Sequence, residues 1–400
     1  MPSSPLEDLF DRFATHIHAG KVDLFRELGI ELTIGAREGP RFQDATTGRW
    51  YWNCHNNGGV FNLGHRNPQV VAALRSALDE LDIGNHHLVS RWRTEAAEKL
   101  VASTNASLPG VVFAASGSEA VDAALKLARG YTGRPGVVTI EGGYHGCTGL
   151  ALAAGEPGPR QRYLLDLPGF TKVPYNDLEA MRATVDETTA AVLLEAIPAT
   201  LGFPPPDPGY LAAVARSCRE QGALLILDEV QTGLGRTGTF WYHQQEGVRP
   251  DVLVTGKGLS GGLYPMAAAL VAREPFGWFT EDYTAHVSTY GGSELGCVVA
   301  STVCDIVAAP GFLEHVKRIA GRFADGFTGA GFEVRQRGLT MGLVVGEEGG
   351  ALEAWKALFD NGVFAFPAAY DTSVVQFKPP LILTVDQSDE IIDRVRTAIG

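Results

Sequence analysis

A chain of 400 residues exceeds the length at which a single hydrophobic core usually stops growing, so a large domain with a smaller companion is expected. Its 45% hydrophobic and 20% charged composition is globular and excludes disorder over most of the length. The net charge of −13 opposes a phosphate backbone and the sequence shows no basic patch to override it, so nucleic acid is not an expected partner.

The opening MPSSPLEDLFDRF is acidic where a secretory signal is basic, and no continuous apolar region follows, so a cytoplasmic location is expected. Leu6, Leu9, Phe10, Phe13 and Ile17 recur at helical spacing and predict an amphipathic helix packing on the rest of the chain. Glu7, Asp8 and Asp11 argue against a membrane-surface helix, and the longest apolar run, 267–272, is far short of the ~20 residues that span a bilayer. Next, RFQDATTGRWYWN predicts a β-hairpin turning around Thr47-Gly48.

From about residue 60, helical stretches alternate with β-rich runs: VVFAA (111–115), GVVTI (136–140), AAVLLEAI (190–197), ALLILDEV (223–230) and DVLVTG (251–256). This pattern predicts an α/β domain, a mostly parallel sheet covered by helices on both faces. Past residue 300 come helices at 301–307 and 310–327, strands at 332–337 and 343–345, another helix and a closing helix from Ser388. The expected division is an N-terminal segment 1–58 packing with the small domain, a large domain 59–299 and a small α+β domain 300–400.

Cys54, Cys147, Cys218, Cys297 and Cys304 are an odd set without a CxxC pair, which argues against a disulfide framework or structural zinc. The histidines show no HExxH or other ligand spacing, so no metal is expected.

Three features carry chemistry. In AASGSEAVDAALKLARG, Ser116 and Glu119 have capping-box spacing, and Ala120, Val121, Ala124, Leu125 and Ala128 form a buried face. The stretch is either a well-capped helix or an anion cradle in which Gly117 lets a phosphate approach the helix N-terminus. In LLILDEVQTGLGRTGTF, Gly233, Gly235 and Gly238 match GxGxxG, but they lie beyond the strand end and precede no long apolar helix, the wrong context for a dinucleotide site. Asp228 sits at the carboxyl end of a buried strand, where open α/β sheets bind ligands, although an Asp there also caps loops. Lys257 closes another strand in DVLVTGKGLSGGLYP; it fits no phosphate-loop motif, and glycines clear space around it as around a Schiff-base amine.

An amine for an aldehyde, a carboxylate for a ring nitrogen and a helix start for a phosphate are together what pyridoxal phosphate needs. At this point the chain resembles the class III aminotransferases, fold-type I pyridoxal-phosphate enzymes, over nearly its whole length. The most specific stretches are LLILDEVQTGLGRTGTF, PDVLVTGKGLSGGLYP, SGSEAVDAALKLARGYTGR followed by GGYHG, and VFNLGHRNP. The resemblance implies pyridoxal 5′-phosphate held as a Schiff base on Lys257, which also moves protons, with Asp228 on the pyridinium nitrogen and Gln231 on the phenolic oxygen. It further implies Tyr144 stacked on the ring, Ser116, Gly117 and Ser118 on the phosphate, and His145 and Glu195 beside the cofactor. Thr289 would reach the phosphate of a neighbouring subunit, making the protein a homodimer with shared active sites.

Departures from the family pattern bear on the substrate. Where relatives carry E-P-x-x-G-E-G-G, with a glutamate that gates an arginine, this chain reads EAIPATLGFPP, keeping Glu195 but placing Thr200 at the gate. The gated arginine becomes Gln376 in VVQFKPPL, and the arginine that follows F/Y-H-G in ornithine and acetylornithine enzymes becomes Cys147. Neutral side chains cannot replace bidentate arginine contacts at equal strength, and Lys378, two residues along the same strand, is the candidate substitute. By resemblance, Trp52, Asn57, Gly58 and Gly59 line the substrate entrance, with His86 and His87 near its mouth; the alternative for these polar residues is hairpin and loop chemistry. The expected activity is amino transfer from an amine or amino acid to a carbonyl acceptor, in specialised metabolism and without the usual glutamate clamp. Racemase, aminomutase, elimination or carbon–carbon-bond chemistry are the rivals, while a non-catalytic cofactor binder could have lost Lys257.

Overall fold

The computed structural model describes residues 5–400; the first four residues of the acidic opening stretch lie outside the described residues. The predicted N-terminal helix forms at Pro5–Phe13, widens into a π-helical turn at Ala14–His18 and resumes at Ala19–Glu27. Phe10 is buried while Leu9 and Ile17 stay exposed, so the expected apolar face packs over only part of its length.

The hairpin forms from Arg41–Asp44 and Trp50–Asn53, preceded by a further strand, Ile34–Glu38. Asp44 holds its turn by accepting from the Thr46 and Thr47 backbone and the Thr47 hydroxyl. The last hairpin strand pairs in parallel with Val363–Phe364, Trp52 opposite Val363. N-terminal residues thus complete a sheet with a strand from near the end of the chain.

Seven strands build the central sheet: β1 (Gly110–Ala114), β2 (Gly136–Ile140), β3 (Phe170–Val173), β4 (Thr189–Glu195), β5 (Leu224–Asp228), β6 (Val252–Thr255) and β7 (Ala267–Val271). Their spatial order is β1-β7-β6-β5-β4-β2-β3. β7 alone runs antiparallel to the other six. Five of the strands follow the β-rich runs of the sequence; β3 and β7 are additions. Edge strand β3 leaves Thr171 exposed and so has no continuous apolar run, while β7 reads AAALV, which periodicity alone cannot tell from a buried helix.

Every residue of β4 and β5 is buried, because both faces of the sheet are covered. Alternation sends Val192, Leu194, Leu225 and Leu227 into one core and Ala191, Leu193, Leu224 and Ile226 into the other. The second core is closed by the helix Gly117–Thr132, whose Ala120, Val121, Ala124, Leu125 and Ala128 are buried as the spacing predicts. Small alanines let this helix approach the sheet closely, which brings its first residues to the carboxyl ends of the strands.

A helix spans Glu294–Ala308, seven residues earlier than its predicted start, because Ser293 caps it by accepting from Gly296 N. The small unit then adds Phe312–Phe327 and a sheet ordered Glu333–Arg337, Thr340–Val344, Val374–Phe377, Phe366–Pro367. Its last helix, Val385–Ile399, begins before Ser388 because Thr384 and Gln387 form a capping box. The strand expected to carry Gln376 and Lys378 spans Val374–Phe377, is buried throughout and ends just before Lys378. Among the described residues no single helix is long and apolar enough to cross a membrane, and no group of three or more His, Cys, Asp or Glu side chains could hold a metal.

Candidate active site

The carboxyl ends of β4, β5 and β6 meet above the sheet. Glu195 pairs in register with Asp228, and Asp228 with Val254, so the two carboxylates project side by side on one face. They border a cavity of ≈ 200 Å³. Into it the helix start contributes Gly117 and Ser118, the loop after β2 contributes Tyr144 and His145, and the loops after β5 and β6 contribute Gln231 and Lys257.

Lys257 follows β6 through Gly256 and holds φ +42°, a left-handed conformation uncommon for a residue with a side chain. Opposite it stands Gly58, itself at φ +70°, where a Cβ would come within 2.8 Å of Lys257 Cε. Gly58, expected at the substrate entrance, instead leaves room for the lysine. Burial lowers the Lys257 pKa, opposed by the charges of Asp228 and Glu195, and this favours a neutral, nucleophilic amine.

Asp228 is held from two sides: Oδ1 accepts from Val230 N at 3.0 Å, and Oδ2 lies 2.9 Å from His145 Nδ1. His145 is buried, and its Nε2 has no hydrogen-bond partner. Glu195 accepts from Tyr144 N at 3.0 Å and Ala199 N at 3.2 Å. Burial raises its carboxyl pKa, countered by His145 and reinforced by Asp228. Each carboxylate therefore fixes a loop as well as facing the cavity.

At the helix start, Ser116 Oγ accepts from Glu119 N at 3.2 Å, but Glu119 takes Ala115 N rather than closing the box on Ser116. Ser116 borders an adjoining cavity of ≈ 360 Å³ that shares Gly117 and Lys257 with the first. Ser118 Oγ accepts from Cys147 N at 3.2 Å, and a Cβ at Gly146, φ +129°, would meet that oxygen at 2.1 Å. Tyr144 stands half-exposed at the rim with its hydroxyl 3.5 Å from Cys147 Sγ.

Other expected substrate residues lie elsewhere. Trp52 packs in the small-unit core and donates to Glu390 Oε1 at 3.2 Å, because its strand faces the closing helix. The Thr200 hydroxyl donates to the Gly142 carbonyl and ties two loops together. Asn57 is exposed at φ +49° in the turn that carries Gly58. His86 and His87 line a separate depression with Phe276 and Tyr283. Thr289 is exposed and does not border the Lys257 cavity of its own chain.

Gln376 and Lys378 are both buried. Lys378 Nζ donates to Gln376 Oε1 at 2.5 Å and to Gln231 Oε1 at 3.3 Å, and it stands 5.0 Å from the centre of the Phe203 ring. Gln376 in turn donates to Ala199 O at 2.8 Å. Sequence reasoning missed Phe203 and Arg236. Arg236 is fully buried and donates to the Leu339 and Pro379 carbonyls and to Asn62, although only the glycines around it drew notice in the sequence.

The sequence matches the aminotransferase class-III family over residues 30–399. An uncharacterized aminotransferase of Archaeoglobus fulgidus is 45% identical over 399 residues, covering 98% of this chain and 94% of that protein. The ornithine aminotransferase of Toxoplasma gondii superposes with a TM-score of 0.88 at 25% identity, over 100% of this chain and 96% of that one. The N-acetylornithine aminotransferase of Stenotrophomonas maltophilia superposes with a TM-score of 0.79 at 29% identity, over 94% and 98% of the two chains. The central sheet with its smaller α+β unit is accordingly the fold-type I architecture of pyridoxal-phosphate transferases. This chain belongs to the class III aminotransferases, enzymes that use pyridoxal phosphate.

Proposed function

We propose that this protein transfers an amino group from an amine or amino acid to a carbonyl acceptor in specialised metabolism, as a cytoplasmic homodimer and without the usual glutamate clamp. The observation that carries the reading is the meeting of the Lys257 amine with the Asp228 and Glu195 carboxylates in one cavity. The residues present fit pyridoxal phosphate. Gly146 and Gly58 let Ser118 and Lys257 approach where a Cβ would block them, His145 Nε2 is an unused polar atom, and the first N–H groups of the Gly117–Thr132 helix have no partner within it.

When bound, pyridoxal phosphate supplies the carbonyl that takes up the amino group and the electron sink that makes Cα acidic. In this reading Lys257 Nζ binds the cofactor and carries the proton to and from the substrate carbon. Asp228, held by His145 and Val230 N, keeps a proton on the ring nitrogen through its negative charge. Ser116, Gly117 and Ser118 would hold the phosphate, Tyr144 would lie beside the ring, and Gln231 would serve the phenolic oxygen. Glu195 fixes the loop that carries Tyr144 and His145, and Thr289 serves the partner subunit. Cys147, Gln376 and Lys378 bound the substrate side. The division into 1–58, 59–299 and 300–400 is proposed with these roles.

The test is a half-reaction. Purified protein with bound cofactor should lose the visible absorbance of its pyridoxal form on mixing with a productive donor and regain it with a keto acid or aldehyde. Borohydride reduction followed by peptide mapping should leave the pyridoxyl group on Lys257. A label on Lys378 or Lys126, or no donor that converts the cofactor, would overturn the reading.

A further inference from the structure

Lys378 is 1% exposed, and its Nζ partners are two amide oxygens and an aromatic face, none of them anionic. Burial disfavours the charged form of an amine with no acid beside it, so the charge it carries depends on what comes near it. Its electrostatic neighbours are Lys257 and Arg236, which with burial lower its pKa, and Glu195, which opposes them. Glu195 already accepts two backbone N–H bonds. An anion arriving beside it would restore the charge, and among the described residues none is in contact with Nζ.

Position says which anion. Gln231, one of the two amides that hold Nζ, borders the same cavity as Lys257. A Cβ at Gly58 would fall 3.7 Å from Gln231 Oε1 and 2.8 Å from Lys257 Cε, so the glycine lets both side chains come close together at one edge of that cavity. Gln376, which replaces the arginine expected in the family pattern, spends its amide nitrogen on Ala199 O and its oxygen on Lys378. Lys378 lies just past the end of the strand Val374–Phe377, with its amine against Gln376 Oε1.

We propose that Lys378 holds the single carboxylate of a monocarboxylic amino-acid substrate, with Gln376 and Gln231 orienting its ammonium group. This rests on the aminotransferase reading and narrows it. Thr200 and Cys147, the other substitutions, are neutral, and the Thr200 hydroxyl is engaged by Gly142 O. A second substrate carboxylate has no charged partner among them, and a simple amine leaves Lys378 unpaired. Monocarboxylates should thus be preferred over both.

The experiment is calorimetric titration of the holoenzyme with butyrate, glutarate and 1-butanol, unreactive probes for one, two and no carboxylates. Butyrate should bind at least about tenfold more tightly than 1-butanol and more tightly than glutarate. Lys378→Met should lose about tenfold or more of the butyrate affinity with its cofactor absorbance intact, while Lys378→Arg should keep most of it. In the half-reaction, Lys378→Met should raise the concentration of 2-aminobutyrate needed for half-maximal rate and leave that of 1-aminopropane unchanged. Butyrate binding unchanged in Lys378→Met overturns the proposal, as does equal slowing of both donors, which would mean that Lys378 only positions Gln231. If Lys378→Met fails to retain cofactor, the wild type decides, since equal affinity for butyrate and 1-butanol overturns the proposal. Butyrate selectivity without conversion of the cofactor by any donor would instead refute amino transfer and keep Lys378 as a carboxylate seat.

Discussion

Replacing Asp228 by asparagine removes one charge while keeping the shape of the side chain. The surviving carbonyl still accepts from Val230 N, but the new amide must donate to His145 Nδ1, reversing the present contact of 2.9 Å. The imidazole proton then moves to Nε2, a buried atom with no partner. A charge-assisted bond contributes about 1.5–3 kcal/mol and a neutral one about 0.5–1.5, so the net cost to stability is on the order of 1 kcal/mol. Melting should fall by only about 2 °C in a chain of this size. Catalysis should suffer far more. A carboxylate raises the pKa of a neighbouring protonated nitrogen by ~1–3 units, worth about 1.4–4 kcal/mol, so kcat should drop about 10- to 1,000-fold with a smaller change in KM. Steady-state kinetics and thermal melting of the cofactor-loaded variant measure both quantities. Unchanged kcat would show that Asp228 merely caps its loop, and a collapse in melting temperature would show that it is chiefly structural.

Gly58→Ala should weaken cofactor binding at least about tenfold, because the new methyl meets Lys257 Cε at 2.8 Å and φ +70° strains any side chain; equilibrium dialysis against pyridoxal phosphate that finds unchanged affinity would refute this. If Thr289 serves a neighbouring subunit, dilution below the dimer dissociation constant should release cofactor, and a fully active, cofactor-loaded monomer in sedimentation would refute the shared site. If Gln376 and Cys147 stand where the family pattern carries arginines, glutamate should convert the cofactor at least about tenfold less efficiently than a monocarboxylic amino acid; efficient conversion at low concentration would refute it. Burial, with Arg37 adding, lowers the His65 pKa from 6.5 to about 4, and Asn53 Nδ2 donates to its Nε2 at 2.9 Å, so the ring is neutral when folded. The unfolded chain then binds more protons between pH 6.5 and 4, and stability falls as pH drops through that window. His65→Gln should flatten the slope in urea denaturation, and an unchanged slope would exclude His65 as the source.

Local sequence determined the elements and the ends at which chemistry would lie. Short apolar runs such as LLILD and DVLVTG are strands whichever neighbour they pair with, and Asp228 and Lys257 sit at or just past their carboxyl ends by position alone. The cap at Ser116 and the buried alanine face behind it are equally local, set by a four-residue motif and a helical period. Tertiary structure decided everything that depends on who meets whom. The antiparallel insertion of β7 beside β1 follows from sheet pairing that no periodicity encodes. Family resemblance places Trp52 at the substrate entrance, yet a parallel pairing with Val363 turns it toward the closing helix. Gly58 looked like an absence of bulk, and only the approach of Lys257, far along the chain, shows what that absence accommodates. The Lys378 and Gln231 side chains meet across 147 positions of sequence. A spacing rule reaches one turn of helix or one strand, whereas burial and charge pairing are settled only when distant segments share a core.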